Sequence, residues 1–145
     1  ALAAIHEADI IIYGIGSLYT SIMPNLIING IREELSKSSA KKIYFCNAMT
    51  QPGETDHYSL EDHVQAIVDH TGPYAVDTVV FHNNAISDSV MDKYHDMGAW
   101  EVFINEQEHP YRIIKRDILK FENDLIRHDA NKVRDVMEEL INSKD

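Results

Sequence analysis

The stretch Asp9-Ile10-Ile11-Ile12-Tyr13-Gly14-Ile15-Gly16-Ser17-Leu18-Tyr19-Thr20-Ser21 restricts the folds open to this chain more than any other. A short apolar run rich in β-branched residues, closed by a turn, reads as a strand covered on both faces, the habit of parallel sheets. Two glycines one residue apart can take backbone angles closed to other residues and let a ligand approach main-chain N–H groups. The hydroxyls of Ser17, Thr20 and Ser21 follow where a helix N-terminus would present unpaired donors. Open α/β sheets take anionic ligands at such strand ends. Position 19 is Tyr, so the third glycine of the dinucleotide fingerprint is missing, and no Gly-Lys-Ser/Thr follows, which excludes a Walker loop. The competing reading is an ordinary strand-to-helix turn.

A chain of 145 residues holds one domain with a sizeable core. Its formal charge of -11 argues against nonspecific nucleic-acid binding, which draws on clustered Lys and Arg. The single cysteine, Cys46, excludes an intrachain disulfide framework and fits a reducing, cytoplasmic setting. No apolar run approaches the roughly 18 residues that span a membrane. The N-terminus lacks the basic flank of a signal peptide, so no membrane insertion is expected. Residues 1–8 look like the last turns of a helix feeding the strand at Asp9, as though the chain began inside a domain.

Further along, Leu18 to Met23 reads as a short helical stretch halted by Pro24, and Ile31 to Lys37 as a helix carrying Ile31 and Leu35 inward. Lys41 to Cys46 forms a second strand, ending in the polar loop Asn47 to Asp56. Ser59 and Asp62 form a capping box for a helix whose inner face is Leu60, Val64, Ile67, Val68 and Thr71, closed by Gly72 and Pro73. Asp77 to His82 is a third strand, ending at Asn83-Asn84, and Ser87 to Met97 is helical with Gly98 as its stop. Trp100 to Ile104 and Tyr111 to Lys115 are further strand candidates, and residues 117–122 stay ambiguous. Asp129 caps a last helix with the stripe Val133, Val136, Met137, Leu140 and Ile141. Strands alternating with helices predict an α/β fold, a Rossmann-like parallel sheet with flanking helices.

In such a sheet the ends Gly14 to Ser17, Asn47 to Thr55 and Asn83-Asn84 lie along one edge, and their loops converge on one crevice. Hydroxyls, amides and main-chain N–H groups bind phosphate and sugar hydroxyls without a metal, which suits a nucleotide or a nucleotide sugar. Gly14, Gly16 and Ser17 are the first candidates for phosphate contacts, with Thr20 and Ser21 either joining them or capping their own helix. Asn47, Thr50, Gln51 and Glu54 can read a sugar or a base edge, or hold their own loop around a type II turn at Pro52-Gly53. His63 and His70 share a helix face, but they are seven apart rather than four and have no Cys partners, so a solvated polar face is expected there. Cys46 reads as a core residue. An NAD module is disfavoured because Ser36 to Ala40 and Lys41-Lys42 stand where an acidic ribose anchor would.

These segments carry a resemblance. Gly14 to Ser21, Pro24-Asn25-Leu26, the block Cys46-Asn47-Ala48-Met49-Thr50-Gln51-Pro52-Gly53-Glu54-Thr55-Asp56, Asn83-Asn84 and Ile126-Arg127-His128-Asp129 resemble the gluconeogenesis factor family. That family binds uridine-diphosphate sugars and is related to 2-phospho-L-lactate transferase. The match is to the C-terminal part of a family member, without the glycine-rich opening of its nucleotide fold. Ile15 departs from the family's usual Pro, and His57 from its frequent Gly. The resemblance implies a cytoplasmic regulatory factor for gluconeogenic growth, cell shape and wall synthesis, with a uridine-diphosphate sugar as small-molecule ligand. It brings in Tyr94, to stack on uracil or bond a ribose, and Arg127, to pair with a phosphate. The alternatives for these two are a core-edge tyrosine and a surface arginine bridged to Asp124 or Asp129. The other reading is a phospholactate-type transferase acting on a guanosine diphosphate carrier with a divalent metal. Homo-oligomerisation is left open, and no protein partner is indicated.

Overall fold

The computed structural model describes residues 2–143, and Ala1 lies outside them. Four strands form one parallel sheet in the order β1-β2-β3-β4. They are β1 (Ile10–Tyr13), β2 (Lys41–Phe45), β3 (Thr78–His82) and β4 (Arg112–Arg116). Helices α1 (Leu2–Glu7), α2 (Met23–Leu26), α3 (Ile31–Lys37), α4 (Leu60–Thr71), α5 (Asp88–Asp96) and α6 (Ala130–Ile141) accompany it. The α/β, Rossmann-like parallel sheet read from the sequence is the one observed.

Strand alternation builds the core. Tyr44, Cys46, Val79 and Phe81 point to one side, where Leu26, Leu35, Leu60, Val64 and Ile67 meet them. Ile43, Phe45 and Val80 point to the other, against Ile114, Ile118, Val133, Val136 and Leu140. The central strands β2 and β3 are thus apolar on both faces, as a parallel sheet covered by helices requires. The first strand corrects the expectation. Ile10, Ile11 and Ile12 are only half-buried and Tyr13 alone is buried, because β1 is an edge strand in this chain.

Helix boundaries follow their caps. Ser59 Oγ accepts from Asp62 N at 3.1 Å and Asp62 Oδ2 accepts from Ser59 N at 2.9 Å, completing the capping box. Asp129 Oδ1 accepts from Asn131 N and Lys132 N at the start of α6. Gly72 closes α4 with φ of 119°, open only to a residue without a side chain at low cost. Pro24 does not halt its helix. Leu18–Ile22 forms a π-helical turn, with Ile22 N donating to Ser17 O, and Pro24 sits in the first turn of α2, where its missing N–H has no partner to lose.

Four other expectations change. Trp100 to Ile104 is no strand: its backbone instead clamps the loop after β2, with Thr50 N donating to Trp100 O and Val102 N to Ala48 O. His63 is buried rather than solvated, its ring nitrogen 2.7 Å from Ser59 O. Ile141 stands exposed at the end of α6, outside the buried stripe. Residues 117–122, ambiguous in sequence, open an antiparallel hairpin of β5 (Leu119–Glu122) and β6 (Leu125–His128). Among the described residues no helix is long and apolar enough to cross a membrane.

Candidate functional site

The loop after β2 is built from inside. Pro52 and Gly53 make the expected type II turn, with Glu54 N donating to Gln51 O and Gly53 at φ 81°. Thr55 is buried, and its hydroxyl accepts from Gln51 N at 2.8 Å. Thr50, also buried, accepts from Trp100 N at 2.9 Å. These bonds fix the run Asn47 to Gln51 as one wall of a cavity.

The opposite wall is the hairpin. Tyr94, on α5, accepts a hydrogen bond from Ile126 N at 2.8 Å and so ties β6 to the helix. The result is a cavity of about 200 Å³ lined by Asn47, Thr50, Gln51, Tyr94, Arg127 and His128, with Ala48, Met49, Leu119 and Ile126 as its apolar part. Five residues singled out in the sequence therefore meet here, from segments up to 80 positions apart.

The polar atoms of this cavity are unusual. Among the described residues, Asn47 Oδ1, Gln51 Oε1 and His128 Nε2 are buried without a hydrogen-bond partner. Leaving such an atom unpaired costs roughly 1–3 kcal/mol, and three of them belong to residues that line this one cavity. Arg127 is exposed, and among the described residues its guanidinium has no partner, so the bridge to Asp124 or Asp129 does not form. Burial pushes the His128 imidazole below its ordinary pKa, and the neighbouring His82 pushes the same way, which keeps the ring neutral. His128 falls within the segment Ile126 to Asp129, but nothing local in the sequence marks its ring as a site residue, and only the fold brings it to the cavity.

The other candidates lie elsewhere. Gly14 and Ser21 line a separate groove of about 300 Å³, mostly apolar, formed with Ile11, Ile12, Ile22 and Leu26. Gly16 and Ser17 line neither cavity, and their N–H groups take no main-chain carbonyl among the described residues. Ser17 Oγ bonds Thr20 Oγ1 and lies 3.4 Å from Ser21 Oγ, so the hydroxyls of this turn engage one another rather than capping the helix. Asn83 is exposed at the sheet edge. Asn84 is engaged in the fold: its Nδ2 donates to Asp117 Oδ1 at 2.6 Å, and its Oδ1 accepts from Ile118 N and Leu119 N. Glu54 is set apart from the cavity and keeps one buried carboxylate oxygen without a partner. Among the described residues no three His, Cys, Asp or Glu side chains are grouped to hold a metal ion.

Comparison with known proteins gives a consistent result. The family model described as 2-phospho-L-lactate transferase CofD matches residues 1–119. The gluconeogenesis factor of Bacillus subtilis (strain 168) is 44% identical over 140 residues, covering 94% of this chain and 44% of that protein. The gluconeogenesis factor of Halalkalibacterium halodurans is 42% identical over 145 residues, covering 94% and 43%. A crystal structure of a upf0052-family protein from Bacillus halodurans superposes with a TM-score of 0.85 at 44% identity, over 93% of this chain and 45% of the other. The chain thus spans less than half the length of the curated relatives it matches.

Proposed function

The chain belongs to the 2-phospho-L-lactate transferase CofD family, and from that premise we propose that it binds a uridine-diphosphate sugar in the Asn47–Arg127 cavity and serves as a regulatory gluconeogenesis factor. The observation that carries this reading is the convergence of Asn47, Gln51, Tyr94, Arg127 and His128 on one cavity, with a cation and polar atoms that have no partner among the described residues. In a chain of net charge -11, a guanidinium left without a carboxylate is the feature an anionic ligand would find. Relatives named gluconeogenesis factor support the regulatory reading. A regulator acts by binding its metabolite better in one conformation than in another, and the expected consequences are in cell shape and wall synthesis during gluconeogenic growth.

Isothermal titration calorimetry of the protein with uridine-diphosphate glucose, guanosine diphosphate and NAD, each with and without magnesium, tests the reading. The uridine ligand binds without magnesium, and Arg127→Ala weakens it by about tenfold or more, the loss of one charge-assisted contact. Melting temperature stays unchanged, because the arginine is exposed. Binding of guanosine diphosphate alone, and only with magnesium, would overturn the proposal in favour of a transferase.

A further inference from the structure

We propose that the floor of the same cavity reads the neutral, donor-bearing half of the ligand, with the amide oxygens of Asn47 and Gln51 and the ring nitrogen of His128 bonding a uracil imide or sugar hydroxyls while the diphosphate stays at Arg127. The inference rests on the reading that a uridine-diphosphate sugar occupies this cavity.

The first reason is the sign of the unpaired atoms. Asn47 Oδ1 and Gln51 Oε1 are acceptors only, and both are buried without a donor. A diphosphate also presents acceptors, so placing it on this floor would leave both sides unsatisfied and set oxygen against oxygen. A hydroxyl or an imide N–H brings the missing proton. His128 Nε2, the third unpaired atom, belongs to a ring kept neutral by burial and by His82, and a neutral imidazole donates or accepts according to its tautomer.

The second reason is size. A volume of about 200 Å³ falls below the roughly 300–1,000 Å³ of sites that enclose a drug-sized ligand. It holds one ring, not a ring together with ribose and diphosphate. The charged part therefore falls to Arg127, which is exposed and, among the described residues, unpaired.

Calorimetry with three probes separates the two candidate rings: uridine-diphosphate glucose, uridine diphosphate without the sugar, and the N3-methylated uridine-diphosphate glucose, whose imide proton is gone. Wild type prefers the intact ligand over one of the trimmed probes. A gap to uridine diphosphate places the sugar on the floor, and a gap to the methylated probe places the uracil there. Gln51→Ala and Asn47→Ala each close that gap, costing the intact ligand about tenfold and the trimmed probe little, the worth of one buried hydrogen bond. Asn47→Asp keeps acceptor oxygens and retains the gap, which guards against a variant that has merely lost its fold. If the alanine variants weaken all probes equally or none, while Arg127→Ala still weakens all, the floor does not read donors and the inference falls, with the ligand assignment intact. If wild type does not bind uridine-diphosphate glucose at all, the assignment itself falls and takes the inference with it.

Discussion

Tyr94 carries two separable roles in one side chain: its ring lines the cavity, and its hydroxyl accepts from Ile126 N at 2.8 Å. The hydroxyl thus fixes the strand that bears Arg127 and His128. Tyr94→Phe keeps the ring and removes the acceptor, leaving a half-buried amide without its partner. The expected cost is about 1–2 kcal/mol of stability, read by denaturant unfolding. Affinity for the uridine ligand should fall only a few-fold, because the ring surface is retained; a loss as large as that of Tyr94→Ala would show that the hydroxyl itself contacts the ligand. Thr50 and Asn84 show the opposite case. Their polar types in a strand-end loop read as ligand contacts, yet Thr50 accepts from Trp100 N and Asn84 bonds Asp117, Ile118 and Leu119. A sequence shows that an amide or hydroxyl is available but not which backbone group, tens of residues away, arrives to use it.

The hairpin that carries the second cavity wall turns at Asn123 and Asp124, with φ of 52° and 60°. Positive φ at both central residues is the type I′ geometry that matches the twist of paired strands, and it favours glycine in the second place. Asp124→Gly should therefore stabilise the protein by about 0.5–1 kcal/mol, visible as a higher melting temperature, with uridine-ligand affinity unchanged or improved. An unfolding midpoint that stays put or drops would mean that the Asp124 side chain contributes something the turn geometry does not reveal. The elements legible in the sequence were those with local punctuation: Ser59 with Asp62, Gly72, Asp129, and the turn at Pro52-Gly53. This hairpin lacked it, since Asn-Asp is a weak turn signal, its strands are four residues each, and β6, Leu125-Ile126-Arg127-His128, does not alternate. The edge position of β1 was hidden for another reason. An apolar run reports that a strand is covered, and its neighbours are decided only when the sheet assembles.

Among the described residues three histidines, His63, His82 and His128, are held below their ordinary pKa of 6.5, burial being the main cause in each. The unfolded chain takes up protons at these sites as pH falls through about 6.5, while the folded chain resists, so the unfolded state binds more protons there. Stability is then full above that value and declines as pH drops from 7 towards 5.5. A competing effect has the opposite sign, since neutralising a chain of net charge -11 relieves self-repulsion. That relief comes mostly from carboxylates, which titrate near pH 4, below the histidine window. Glu61 adds a later loss: burial opposes its ionisation, but the hydrogen bonds from His109 and Asn105 N outweigh it and hold the carboxyl below 4.5. Melting temperature should therefore fall between pH 7 and 5.5, and NMR titration should place the His63, His82 and His128 midpoints below 6.5. A flat melting profile with ordinary midpoints would mean that water reaches these rings, and the neutral His128 on which the cavity floor depends would be lost with it.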